Sequence, residues 1–130
     1  MQPDRPTIHD LREPVEVPAD GILSRAIYND DNARVVLFSF ATGQQLSDHT
    51  AAMPVTLEIV EGEADITLGA DAVEGRPGTW IYLPADLPHS VVAKTPVTML
   101  LTLLKSASLP LREPRSRQGP QRPAGRRPWP

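Results

Sequence analysis

An all-β fold is predicted for this chain of 130 residues, and three observations predict it. Short runs rich in Val, Ile, Leu, Thr and aromatic residues recur along the middle of the sequence, as expected of strands. Turn signals separate them, among them Asn29-Asp30-Asp31-Asn32, Thr42-Gly43, Glu61-Gly62, Gly69-Ala70-Asp71, Arg76-Pro77-Gly78 and Thr95-Pro96. No stretch carries a 3.6-residue apolar stripe of helix length. Short strands at such spacing make a sandwich or a barrel, and the length suits one domain with a single core.

Residues 1–20 hold four prolines and scattered charges, which reads as an extended arm. A domain over 21–105 follows, with predicted strands at Leu23–Tyr28, Arg34–Ala41, Val55–Val60, Ala64–Leu68, Thr79–Leu83, Ser90–Lys94 and Val97–Lys105. The run Val97–Leu104 is apolar on both faces apart from Thr98 and Thr102. A strand of that kind is covered on both sides. A homodimer whose partner subunit covers one face is the expectation, with a monomer that covers both faces itself as the alternative. The tail, residues 106–130, carries six prolines and no apolar periodicity, and composition predicts disorder.

Composition bounds the function. Residues 1–104 carry six Lys/Arg against fifteen Asp/Glu, a net of −9, whereas residues 105–130 carry a net of +6. An acidic body does not offer a nucleic-acid surface. The basic tail has the right sign for a polyanion, but Trp129 is its only aromatic residue, so stacking on bases is not expected. No apolar run reaches the ~18 residues of a membrane helix. The start, MQPDRPTIHDLREP, lacks the apolar core of a secretory signal, and the cytoplasm is the expected location. With no cysteine, thiolate chemistry and zinc fingers are excluded, and any metal would be held by His, carboxylate or backbone groups.

Two stretches carry the functional signal. Gly43–Gly62 reads GQQLSDHTAAMPVTLEIVEG, and Gly78–Ala93 reads GTWIYLPADLPHSVVA. Together they resemble the two motifs of the cupin family. Gly43, five residues, His49 and the closing Gly62 follow the first; Gly78, five residues, Pro84, then His89 two residues after Asp86 follow the second. The stretches GQQLSDHT, IVEGEADITLG and YLPADLPHSV are also similar to a compact, largely uncharacterised bacterial subgroup. The resemblance implies a small jelly-roll β-barrel in which His49 and His89 each begin a strand and meet near the open mouth.

It also implies a metal centre of three His and one Glu around iron, manganese, nickel or zinc, and here the sequence departs. Ala51 stands at the second histidine, Val55 at the glutamate and Ala93 at the asparagine of the second motif. His49 and His89 remain as candidate ligands, and two imidazoles alone hold a first-row divalent metal weakly. Asp48 is a poor substitute, because consecutive strand residues face opposite sides. Met53, Thr50 and Gln45 are candidates to line the mouth, and His9 in the arm reads as an ordinary polar residue. The expected site is a small-molecule pocket lined by Phe38, Phe40, Ala51, Met53, Val55, Leu57, Val91 and Met99, with His49 and His89 as polar groups. The alternative is a metal-dependent enzyme, a dioxygenase, isomerase or lyase, built on the same two histidines. A metal-free enzyme could use either as a general base.

Overall fold

In a computed structural model of the chain, residues 5–13 and 19–105 are described. The predicted tail, 106–130, lies outside them. Nine strands occur among the described residues: β1 (Ile22–Asn29), β2 (Ala33–Phe40), β3 (Gln45–His49), β4 (Val55–Glu61), β5 (Ala64–Leu68), β6 (Asp71–Gly75), β7 (Trp80–Leu83), β8 (His89–Ala93) and β9 (Val97–Leu104). They form two antiparallel sheets, one ordered β1-β2-β9-β4-β7 and the other β3-β8-β5-β6.

Two of these strands escape prediction, for different reasons. β3 reads QLSDH, with Leu46 its only strongly apolar residue. β6 reads DAVEG, with a half-buried Val73 and a closing glycine. Neither has the composition of a strand. Each is held by its neighbour's ladder, β6 by five consecutive register positions on β5 and β3 by β8. A consequence is that His49 ends β3, where the motif reading has it begin a strand.

The core lies between the sheets. Period-2 alternation on β4 buries Val55, Leu57 and Ile59 while Thr56 and Glu58 stay half-buried. β2 sends Phe40 inward, with Phe38 two residues earlier packed on the same cluster at a ring-centroid distance of 6.1 Å. Ile66, Leu83, Val91, Val97 and Met99 complete the centre.

Two devices lock the ends of the large sheet. Asp30, in the β1–β2 turn, accepts hydrogen bonds from the Tyr28 hydroxyl (2.6 Å) and from the backbone N–H groups of Asn32 (2.7 Å) and Ala33 (2.9 Å). These donors, led by the Tyr28 hydroxyl, hold its carboxyl below the usual Asp range. Lys105 then ties the end of β9 to the same turn, its Nζ donating to the Asp30 carbonyl (2.9 Å) and its backbone N–H to Asn32 (2.8 Å). On the outer face the arm lies along β1 and β2: Arg5, Pro6, Thr7, His9 and Leu11 share a groove with Ile27, Tyr28 and Val35. The His9 ring, through Nε2, donates to the Ile27 carbonyl at 2.9 Å. Leu37 and Ser39, on the outward-facing register of β2, are 5% and 2% exposed.

Candidate functional site at the rim of the small sheet

β3 and β8 pair in register at Leu46↔Val91 and then at His49↔His89. Three steps along β3 match two along β8, so the ladder holds one extra residue there, a β-bulge. Unbroken alternation from Leu46 would place Asp48 opposite His89. The bulge places His49 there instead, and so makes the two motif histidines cross-strand neighbours. On its other side His89 is in register with Leu68 of β5.

His89 is 3% exposed. Its Nδ1 lies 3.0 Å from the Leu87 carbonyl oxygen. A carbonyl only accepts, so Nδ1 carries a proton and donates it to this contact. That contact orients the imidazole through a backbone group. No sequence signal points to Leu87 in this role, because any residue supplies a carbonyl.

The loop before β8 holds the two motifs together. Asp86 N–H donates to the Ala51 carbonyl at 2.8 Å, and Gly69 N–H donates to the Pro88 carbonyl at 2.8 Å. Asp86 has φ of 68°, in the left-handed region that glycine occupies without strain and Asp tolerates. It occupies the motif position at which the resemblance expects glycine. Asp86→Gly is therefore expected to raise stability by about 0.5–1 kcal/mol, offset in part by the freer unfolded chain. Chemical denaturation of the two proteins checks the sign.

The remaining predicted pocket residues fall into two groups. Phe40, Val55, Leu57, Val91 and Met99 belong to the buried core cluster, with Phe38 and Ala51 packed against it. Met53 is half-buried in the loop after β3, Thr50 is exposed, and Gln45 is exposed opposite Val92, on the register that alternates with Leu46. At the three positions where the family resemblance expects further ligands or a polar partner, Ala51, Val55 and Ala93 offer carbon only. Val55 and Ala93 are buried in the core. Among the described residues no group of three or more His, Cys, Asp or Glu side chains converges. The donor set does not fit a four-ligand metal centre.

The nearest cluster of opposite charges lies elsewhere, on the outer side of the small sheet. There Glu74 bonds Arg76 (3.0 Å) and Lys94 (3.2 Å). Arg76 first and Lys94 second hold the Glu74 carboxyl below the usual range. These groups are exposed and structural in kind.

Comparison with protein-family models finds no match, and comparison with curated protein sequences finds none. Solved structures are similar over most of the chain. A conserved protein of unknown function from Streptococcus pyogenes is 27% identical with a TM-score of 0.69, over 78% of this chain and 90% of its own. A cupin superfamily protein from Desulfitobacterium hafniense is 29% identical with a TM-score of 0.66, over 69% of this chain and 83% of its own. An RmlC-like cupin from Desulfovibrio desulfuricans, at 24% identity, shares the fold with a TM-score of 0.71, over 78% of this chain and 98% of its own.

Proposed function

We propose that this chain, which shares its fold with a cupin superfamily protein and an RmlC-like cupin, is a cupin-domain protein that binds a small molecule at the rim where β3 meets β8. The observation that carries this reading is the His49↔His89 register, together with the Leu87 carbonyl that fixes the His89 ring. Two histidines in cross-strand register at the edge of an apolar interior are the kind of polar residue that ligand sites place beside apolar surface. Phe38, Ala51 and Met53 are half-buried, the first two packed against the core cluster, and are the apolar residues this reading assigns to the pocket. The same register favours a second reading, a weakly held divalent metal between the two imidazoles serving a dioxygenase, isomerase or lyase. The carbon-only positions at Ala51, Val55 and Ala93 weigh against it.

Metal analysis of protein purified without chelator, combined with a thermal-shift screen of small organic acids, sugars and aromatic compounds, separates the two. A ligand at a hundredfold over its Kd adds about 2.7 kcal/mol to the folded state. The expected result is metal-free wild type whose melting point rises with one ligand class, the rise vanishing in a folded His49→Ala/His89→Ala variant. Stoichiometric iron, manganese, nickel or zinc that disappears in that variant would establish the metal reading instead. Equal ligand shifts in both proteins would remove the histidines from the site.

A further inference from the structure

Among the described residues four strands end the two sheets, β1 and β7 in the large one and β3 and β6 in the small one. An unpaired edge is a template for another strand, and folded domains blunt it with bulges or charge. Three of these edges are blunted. β1 carries a bulge between Ala26 and Tyr28, and β3 carries one between Leu46 and His49. β6 carries Asp71 and Glu74, both exposed. β7 reads WIYL, without charge, proline or a shift in its register with β4. Its outward residues, Trp80 and Tyr82, are 62% and 50% exposed.

The backbone of these two residues is open as well. Ile59 N–H donates to the Thr79 carbonyl at 3.0 Å, and the register Glu58↔Trp80 continues that ladder. Antiparallel pairs alternate between hydrogen-bonded and non-bonded. Ile81 and Leu83 therefore bond to β4, and the N–H and C=O groups of Trp80 and Tyr82 point to the free side. Among the described residues no loop backbone group bonds to either.

We infer that the partner of this edge is β7 of a second copy of the chain, paired antiparallel about Ile81 so that the two large sheets become one. Symmetry selects the register. A twofold axis normal to the sheet keeps the outer faces level, so Trp80 stands opposite Tyr82 of the second copy and Ile81 opposite its own counterpart. Each Trp80–Tyr82 pair then exchanges both hydrogen bonds, at a Cα separation of about 5.5 Å, with the two rings side by side on one face. A shift to either side loses bonds. One sets Tyr82 opposite Gly78, whose N–H is already given to the Ile59 carbonyl at 2.9 Å, and the other sets Trp80 opposite Pro84, which has no N–H. Charge agrees with the antiparallel sense. Asp86 follows the strand and is exposed. Arg76 precedes it with its side chain 67% exposed and one nitrogen given to Glu74, which leaves donors for a second carboxylate. Antiparallel pairing brings the Arg76 end of each copy beside the Asp86 end of the other. The contact is small: at the exposures above, and at about 150–250 Å² per aromatic side chain, four rings supply roughly 450 Å². With the flanking turns it stays below ~1,200 Å², the class of weak and reversible interfaces.

Sedimentation and residue-resolved amide exchange on the full-length protein test this. The weight-average mass is expected to rise about 1.5-fold between ~5 μM and ~0.5 mM protein, as a weak dimer gives. Over the same range the Trp80 and Tyr82 amides become protected from exchange. Tyr82→Pro removes an N–H that points away from β4, a position at which an edge strand tolerates proline, and holds the mass at the monomer value. Asp86→Asn keeps the left-handed backbone and weakens association about fivefold through the two ion pairs lost. A wild type that stays monomeric throughout overturns the proposal and leaves the edge to an extended segment of another protein. Trp80 and Tyr82 amides already protected at the low concentration overturn it as well, because the chain then covers the edge itself. Association that persists unchanged in both variants assigns the contact to another surface and overturns it too.

Discussion

Gly62→Ala is expected to unfold the domain or to leave it with a small residue of its stability. Gly62 turns the chain from β4 into β5 at φ of 89°, where a side chain costs about 1–2 kcal/mol. The larger effect is steric. A Cβ there would overlap the Pro96 carbonyl oxygen and lie 3.0 Å from its carbon and 2.9 Å from Val97 Cα. These are backbone atoms, so no side-chain rotation relieves the clash. The turn at 94–96 is also sewn to this one: Lys94 N–H donates to the Glu63 carbonyl and Glu63 N–H to Thr95 Oγ1, both at 2.9 Å. Moving either turn therefore disturbs β8 and β9 together, one strand from each sheet. A total of about 4 kcal/mol or more is expected, a large share of the ~5–15 kcal/mol that holds a small domain. Urea titration followed by circular dichroism checks it, and a fully cooperative wild-type-like midpoint would contradict the packing described here.

The second large effect is expected from Phe40→Ala. Phe40 is 0% exposed, in register with Ile22 on one side and Val97 on the other, and lies in the same cluster as Met99 and Leu57. Truncating a buried phenylalanine removes its transfer energy and leaves a cavity, together about 3–5 kcal/mol. Phe38→Ala, at a half-buried position facing the same way, loses less. The difference between the two midpoints in denaturant, measured on the same preparation, tests whether Phe40 is core or pocket wall. A pocket wall would give two similar, small losses.

The all-β class was legible because β4 and β5 alternate in period 2, while β2 and β9 are near-continuous runs of Val, Leu, Met and Phe. β3 and β6 were not, since their residues are polar and their existence depends on ladders supplied from elsewhere in the chain. The same division runs through the site. Motif spacing points to His49 and His89 as the residues to compare. It does not reveal that they are cross-strand neighbours, because that depends on a bulge between Leu46 and His49 set by pairing with β8. Nor does alternation alone hold there: the argument that sets Asp48 apart from His49 assumes an unbroken strand. The path of the arm over Ile27 and Val35 was hidden for a similar reason, as residues 5–13 carry little pattern of their own.

The bulge also makes the rim evolvable in a particular way. Whichever residue stands opposite His89 is chosen by a slip of one position along β3, not by replacement of a side chain. Without the extra residue, Asp48 and not His49 would stand in register with His89, with no residue of the strand changed. The residue that faces His89 is thus set by backbone spacing between Leu46 and His49 as well as by side-chain identity.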